Sequence, residues 1–290
     1  MSLELCVLAS GSAGNSSLLR TPGGVVLIDA GIGPRTAAKR MAGTGVAVRG
    51  VAGIILTHLD RDHFSPTWLN TVVATNTPIY CAADRVEDLF ALAAATVGPG
   101  ELRAVRDLVR PFHSGDGFEP LPGVAFQPVA LAHDREGSHG FLVECDGVRL
   151  GYATDLGRVP PALIELFCDL DLLAIESNYD PDLQRTSGRP WFLQQRITGG
   201  RGHLSNDQAL AAVRQILDRC ERNGRRAPSQ IVLLHRSRQC NCPHLVRKLF
   251  ARDARIGQRL TLAEQGERTE WLRPASMVPA TGDQLTLAWG

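Results

Sequence analysis

The amino-acid sequence predicts one α/β domain that is built on two β-sheets and covers residues 1–290. The 290 residues are 44% hydrophobic and 21% charged, which is enough apolar content for a packed core and gives no sign of disorder. Short apolar runs of strand length alternate with helical patterns along the chain. Because no linker-like break and no repeat of fixed period interrupts this pattern, we predict a single domain.

The first half of the chain is predicted to hold four strands and two helices. Short apolar segments bounded by turn-forming residues indicate strands at residues 3–9, 24–29, 51–56 and 79–81. Ser65 followed by Pro66 combines an N-cap residue with a first-turn proline, which predicts a helix over residues 66–75. The Ala- and Leu-rich segment after the fourth strand predicts a second helix over residues 84–95.

The second half is predicted to continue with six strands and two helices. Ser205 and Gln208 form a capping-box pattern that opens one helix, and Pro243 begins the other. Asp146-Gly147 is a hairpin signal between the second and third of the strands. Residues 256–290 are expected to be a C-terminal extension that contains the last strand and packs on the domain. The strands are expected at residues 124–131, 140–144, 148–153, 170–175, 231–234 and 259–262.

The net charge of +1 conceals an uneven distribution of charge. Residues 185–256 carry 15 Lys and Arg against 4 Asp and Glu, which leaves 16 bases against 26 acids in the rest of the chain. Such an asymmetry favours an anionic partner for the basic part. Because only Lys39 and Lys248 are lysines, a general use of arginine on exposed helix faces explains the same excess equally well.

Several features of the sequence predict a cytoplasmic protein without a membrane span. The longest apolar runs are far shorter than the roughly 20 residues that cross a bilayer. The first residues carry an acid and no basic segment, so we expect no secretory signal. Seven cysteines, an odd number without a C-x-x-C pair, are typical of reduced thiols. Cys240 and Cys242 match no common zinc motif.

The segment from His58 to His63 is the most informative part of the sequence. It places four metal-binding side chain types, His58, Asp60, Asp62 and His63, between a predicted buried strand and a predicted helix. α/β proteins bind ligands at such strand ends. If the segment were extended, His63 would point away from the other three, and the loop would supply ligands to two adjacent ions. The alternative is a polar surface loop of capping residues and ion pairs.

Further candidate ligands follow other predicted strands. His133, Asp155 and His235 each come directly after, or one residue beyond, an apolar strand. Taken singly, each is equally well explained as a capping or hydrogen-bonded residue. Their recurrence at strand ends indicates one polynuclear site that several strands surround.

Seven short motifs occur in an order that resembles the metallo-β-lactamase superfamily. Within that superfamily, the sequence is similar to the YycJ-type (WalJ-type) branch of cytoplasmic 5′ exonucleases, over about residues 6–241. The motifs are Ser10-Gly11-Ser12-Ala13-Gly14-Asn15-Ser16, Ile28-Asp29-Ala30-Gly31, the segment from His58 to His63, His133-Asp134, Thr154-Asp155, Gly202-His203-Leu204-Ser205-Asn206 and His235-Arg236-Ser237.

The resemblance implies a four-layer αβ/βα sandwich, in which helices flank two mixed sheets and a dinuclear site lies between the sheets. Asp29 would hold the metal ligands in position without binding a metal ion itself. The family usually has His where this chain has Asp60, and a carboxylate at that position favours Mn²⁺ over Zn²⁺. We therefore expect two divalent metal ions, Zn²⁺ or Mn²⁺. The implied ligands are His58, Asp60 and His133 for one ion, Asp62, His63 and His235 for the other, and Asp155 as a bridge.

Two residues are predicted to be catalytic in this scheme. Asp62 would orient the attacking water, which the two ions activate, and accept its proton. His203 lies two residues before a helix N-cap, where anions bind, and would hold the phosphate or protonate the leaving oxygen. The alternative is that His203 only anchors the helix entry. Arg201 and Arg196 are the other predicted substrate-binding residues.

The aromatic pair Trp191-Phe192 follows an arginine in the same region of the chain. Stacking on Trp191 would suit a single-stranded substrate, but such pairs more often belong to a core, and we interpret this pair as core.

These features together predict a metal-dependent hydrolase that cleaves phosphodiester bonds, as a DNA 5′ exonuclease acting on DNA ends. The basic half of the chain favours nucleic acid over a small neutral ester. One alternative keeps the same site but hydrolyses a small substrate, such as a cyclic phosphodiester or a lactone. A second alternative is a non-catalytic nucleic-acid-binding or regulatory protein of the same fold.

Overall fold

The computed structural model describes residues 3–275, in which two mixed β-sheets lie face to face. The first sheet has six strands in the order β1 to β6. These strands are β1 (Glu4–Ala9), β2 (Ser16–Thr21), β3 (Gly24–Ile28), β4 (Val51–Ile55), β5 (Ile79–Ala82) and β6 (Val109–Phe112). The pairs β1–β2 and β2–β3 are antiparallel, whereas β3 to β6 are parallel.

The second sheet repeats this arrangement in the order β13 to β7. Strands β7 to β10 pair antiparallel, and β10 to β13 pair parallel. Each sheet therefore has a parallel half whose strands end at the same edge. These strands are β7 (Phe118–Leu121), β8 (Val124–Leu131), β9 (Ser138–Cys145), β10 (Val148–Ala153), β11 (Leu172–Glu176), β12 (Gln230–Leu234) and β13 (Leu260–Leu262).

Helices cover the outer face of both sheets. In β3, Val26 and Ile28 belong to the apolar cluster between the sheets, whereas Leu27 packs with the helices outside. Helices α1 to α4 cover the first sheet, and α5, α8 and α9 cover the second. The predicted four-layer sandwich is confirmed. The helices are α1 (Pro34–Met41), α2 (Leu69–Thr75), α3 (Val86–Ala94), α4 (Pro99–Leu108), α5 (Pro161–Leu166), α6 (Pro181–Arg185), α7 (Trp191–Thr198), α8 (Asn206–Arg222) and α9 (Pro243–Phe250).

The predicted strands and helices are all present, with bounds that differ by a few residues. The capping box is formed as expected: the Gln208 N–H donates to Ser205 Oγ (3.1 Å), and the Ser205 N–H donates to Gln208 Oε1 (2.8 Å). Three strands were not predicted. Two of them, β6 and β7, are edge strands that contain Pro111 and Pro120, because proline cannot donate a ladder hydrogen bond and is confined to edges.

The end of the described chain returns to the first sheet. The Leu272 N–H donates to the Leu5 carbonyl (2.7 Å), and the Arg20 guanidinium lies 3.8 Å from the ring centre of Trp271. Residues 276–290 of the predicted C-terminal extension lie outside the described residues. Within residues 3–275, no helix has both the length and the apolar composition that crossing a membrane requires.

Candidate metal centre

The predicted ligands converge where strands of both sheets end. Asp29 follows β3, Asp155 lies just beyond β10, and His235 follows β12. All three have positive φ angles, 59°, 50° and 51°, a left-handed conformation that costs energy in residues other than glycine. The backbone at these positions therefore turns sharply out of each strand and directs the side chains into the space between the sheets.

The segment from His58 to His63 is a tight turn and not an extended run. The N–H groups of His63 (2.7 Å) and Phe64 (2.9 Å) both donate to the Asp60 carbonyl. The expectation that an extended backbone turns His63 away is therefore wrong. Because the turn reverses the chain, Asp62 and His63 lie in one group of donors while His58 and Asp60 lie in the other.

The first group consists of Asp62, His63, Asp155 and His235. The Nε2 atom of His63 lies 2.8 Å from Asp155 Oδ2 and 3.8 Å from Asp62 Oδ2, and His235 Nε2 lies 3.4 Å from the same Asp62 oxygen. Ligands of a tetrahedral ion at metal–ligand distances of about 2.1 Å are ~3.4 Å apart. The spacing of this group fits a single metal ion.

The second group consists of His58, Asp60 and His133. Asp60 Oδ2 lies 3.8 Å from His58 Nε2 and 3.9 Å from His133 Nε2. Asp155 Oδ2 faces this group as well, 3.5 Å from His58 Nε2 and 3.8 Å from His133 Nε2. Asp155 therefore stands between the two groups, as a bridging ligand would.

Three of the four histidines use Nδ1 to hold the ring from outside the two donor groups, whereas His235 Nδ1 lies 2.6 Å from Asp155 Oδ1. The His63 Nδ1 atom lies 2.7 Å from Asp29 Oδ2, that of His133 2.8 Å from the Gly202 carbonyl, and that of His58 3.0 Å from Thr57 Oγ1. Anchoring of Nδ1 leaves Nε2 for a metal. The Nε2 atoms of His58 and His235 are buried and make no hydrogen bond within residues 3–275, which fits a site that an ion would complete.

Asp29 contacts both His63 and Thr57. Its carboxylate is fully buried and also accepts hydrogen bonds from the N–H (2.8 Å) and the hydroxyl (2.9 Å) of Thr57. It thereby fixes both His63 and the start of the ligand-bearing turn.

The buried histidines and Asp155 shift one another's pKa values. Burial lowers the pKa of His58 well below its ordinary value, so this imidazole is neutral. Burial acts in the same direction on His63 and His235, but the Asp155 carboxylate beside both raises their pKa well above the ordinary value. Burial would raise the pKa of Asp155, yet these two imidazoles hold it well below its usual range. Asp155 is therefore an anion.

Glu176 is a member of the site that the sequence analysis did not select. It ends β11 and is fully buried. Its Oε1 lies 2.7 Å from His203 Nδ1 and 3.1 Å from His235 Nδ1, while Oε2 accepts from the N–H groups of Leu156 (3.0 Å) and Leu204 (3.2 Å). Burial acts to raise its pKa, but His203 and His235 together outweigh burial and the pKa is lowered. Its position at a strand end is the signal that identified the other ligands.

His203 and the predicted substrate-binding arginines lie in neighbouring clefts. His203 and His235 line a cleft of about 360 Å³, together with Arg196. The Arg196 guanidinium is paired with Asp134, which neutralises its charge. Arg201 does not line this cleft but an adjoining one, which Arg196 also borders.

The interpretation of Trp191-Phe192 as core is wrong. The two side chains are 75% and 70% exposed, at the start of α7. The aromatic pair has no covering element within the described residues, and helical propensity alone could not reveal this.

The structure is a four-layer sandwich in which His and Asp side chains cluster where strands of both sheets end. This arrangement defines the class of the protein as a hydrolase of the metallo-β-lactamase fold. A model of the Beta-lactamase superfamily domain matches residues 25–234. The chain therefore belongs to the β-lactamase superfamily, as the motifs predicted.

Relatives and solved structures agree with this assignment. The chain is similar to the exodeoxyribonuclease YycJ of Bacillus anthracis, with 23% identity over 217 residues that cover 75% of this chain and 78% of the relative. It is 25% identical to the exodeoxyribonuclease WalJ of Streptococcus pneumoniae over 243 residues, 82% of this chain and 83% of the relative. The metallo-β-lactamase fold protein YhfI of Bacillus subtilis superimposes with a TM-score of 0.65 at 14% identity, covering 93% of this chain and 100% of YhfI.

Proposed function

We propose that this protein is a metal-dependent phosphodiesterase that removes nucleotides from the 5′ ends of DNA. The observation that carries the proposal is the position of Asp155 between two groups of His and Asp donors, each spaced for one ion. The two relatives named as exodeoxyribonucleases support DNA as the substrate. The preference for 5′ ends rests on the resemblance to that branch.

Two divalent ions would be held by the residues that the sequence analysis selected. His58, Asp60 and His133 would hold one, Asp62, His63 and His235 the other, and Asp155 would contact both. A pair of divalent ions lowers the pKa of a bound water and polarises phosphoryl oxygens. The carboxylate of Asp60 hardens the second group, which favours Mn²⁺ there.

Two side chains at the centre would move protons in this reaction. Asp62 keeps a quarter of its side chain exposed, so a water molecule from the solvent can reach its carboxylate and donate a proton to it. His203 is one-fifth exposed, with Nδ1 held by Glu176. Its Nε2 is therefore the nitrogen available to a phosphate oxygen or to the leaving oxygen.

Metal analysis followed by DNA degradation tests the proposal. Purified protein is reconstituted with Mn²⁺ or Zn²⁺, the bound metal is counted, and single-stranded and duplex DNA with 5′-phosphates and a 3′ fluorophore are added. We expect two ions per chain and progressively shorter labelled products. Absence of bound metal would overturn the hydrolase, and bound metal with hydrolysis of a cyclic phosphodiester or lactone but not of DNA would assign a small substrate instead.

A pair of substitutions assigns the role of Asp62. Asp62→Asn should abolish turnover while DNA binding stays largely intact. Asp88→Asn makes the same chemical change at an exposed, ion-paired surface carboxylate and should have no effect. Turnover of Asp62→Asn at the rate of the parent would refute the proton-accepting role.

A further inference from the structure

Helix α7 exposes two large aromatic side chains beside the cleft. Among residues 3–275, the large hydrophobic side chains that are exposed are those of Trp191 and Phe192. The helix is held from its other side, where Ile197 and Leu193 pack with Tyr179 and Cys240 in a small apolar cluster. The rings are therefore positioned on a supported helix, with their faces free.

The aromatic pair is close to the site. Leu193, Arg196 and Ile197 of the same helix line the cleft that contains His203, and so does Arg189. Trp191 follows Arg189 by two residues, which limits the separation of their Cα atoms to about 7 Å. A molecule held in the cleft at Arg189 therefore has the rings within reach.

The charges around the rings favour an anion. Arg189 donates to the neutral side-chain oxygens of Gln239 (3.1 Å) and Gln184 (3.2 Å) and makes no ion pair within the described part of the chain. These hydrogen bonds hold its guanidinium at the edge of the cleft without neutralising it. An arginine with uncompensated charge next to exposed aromatic faces is the combination that binds single-stranded nucleic acid, through phosphates and stacked bases.

We propose that Trp191 and Phe192 form a stacking platform for unpaired bases of a strand whose phosphates contact Arg189 and whose end enters the cleft at His203. The platform rests on the proposed function, and it specifies the substrate as a single-stranded end. A duplex end would have to open before its bases could stack on the rings.

Binding to oligonucleotides with and without bases tests the platform. Metal-loaded protein is titrated with a fluorescein-labelled, phosphorothioate single strand that resists cleavage, and with the same strand carrying three abasic sites at its 5′ end. The parent should prefer the strand with bases by about 5- to 150-fold for each stacked base. Trp191→Ala/Phe192→Ala should bind both strands with the same low affinity, and Trp191→Tyr/Phe192→Tyr, which keeps two rings, should restore the preference.

Salt dependence separates stacking from phosphate contacts. The slope of log K against log salt should be the same for the double alanine variant and the parent, whereas Arg189→Ala should reduce it by about 0.7. With cleavable single strands, the alanine pair should raise KM and leave kcat nearly constant. Circular dichroism of each variant establishes that it is folded.

The outcomes distinguish the platform from the nuclease activity. Base-dependent binding by a parent that does not degrade DNA would support the platform and overturn the exonuclease. Degradation of DNA with equal affinity for both strands would overturn the platform alone. A parent dimer that becomes a monomer in the alanine pair, without base-dependent binding, would show instead that the rings join two copies of the chain.

Discussion

Replacement of Glu176 by glutamine tests whether one buried carboxylate organises both halves of the centre. Glu176 accepts at four points: two imidazole Nδ1 atoms at Oε1 and two backbone N–H groups at Oε2. Glutamine has the same shape but only one acceptor oxygen. Either its NH₂ group faces the N–H groups of Leu156 and Leu204, or it faces His203 and His235.

The geometry sets the size of the effect. Two buried hydrogen bonds are lost in either orientation, and at about 1–3 kcal/mol each the free energy of unfolding should fall by about 2–6 kcal/mol. If the NH₂ group faces His235, it meets an Nδ1–H that also donates to Asp155 Oδ1 (2.6 Å), so the ring loses its Glu176 acceptor and is no longer held from that side. Metal affinity and kcat should therefore each fall by about 10- to 100-fold.

Urea unfolding, chelator competition and turnover of a labelled oligonucleotide measure the three effects on one preparation. Glu165→Gln is the matched control, because Glu165 is an exposed carboxylate paired with Arg219 on the surface. Glu176→Gln protein whose metal affinity and kcat stay within twofold of the parent would refute the positioning role, even if its stability falls.

Three further predictions concern the metal ligands and their support. Asp60→His should shift the ratio of Zn²⁺ to Mn²⁺ affinity towards Zn²⁺ by about tenfold or more, measured by competition calorimetry; an unchanged ratio would contradict the assignment of Asp60 as a ligand. Gly31→Ala should lower kcat by about 100-fold, because its Cβ would lie 1.8 Å from the Asp62 carbonyl and displace that residue, whereas Gly50→Ala, which has open space, should behave as the parent. In metal-free protein, the raised pKa of His63 contributes stability that is complete below about pH 6.5 and lost as pH rises through the folded-state value, so urea unfolding should show stability falling as the pH is raised above about 6.5. Metal-loaded protein should not show it, since Nε2 then carries no proton.

The sequence brought the candidate ligands to notice because their signal is local. His133, Asp155 and His235 each follow an apolar strand, and the three strands, β8, β10 and β12, run in the same direction in the second sheet and end at one edge, so their convergence needed no knowledge of distant contacts. Glu176 obeys the same rule, but its partners do not: Leu204 and His203 come from a loop that returns 27 or 28 residues later in the chain. The packing of α8 sets the path of that loop, and no local sequence pattern predicts this packing.

Side-chain exposure and turn geometry are two further properties that the sequence did not predict. The aromatic pair at the start of α7 has the composition of a core segment, and its exposure depends on whether another element covers it. The turn at Asp60 depends on two backbone hydrogen bonds to its carbonyl, and a string of polar residues does not distinguish such a turn from an extended loop. Both properties depend on contacts that form only when the chain is folded.

The backbone supplies evidence for the site that is independent of side-chain chemistry. Four other residues besides glycines have positive φ angles: Asn76 ends helix α2, Asp146 lies in the turn between β9 and β10, and Asp134 and Asp169 lie in a turn and a bend. Asp29, Asp155 and His235 have no such explanation, since each simply follows a strand. Glycine would adopt these angles freely, whereas a larger residue costs about 1–3 kcal/mol at each position. These three strained residues meet at one point, and buried partners hold each of their side chains. The strain therefore indicates that the protein needs the carboxylate or imidazole group at each of these positions.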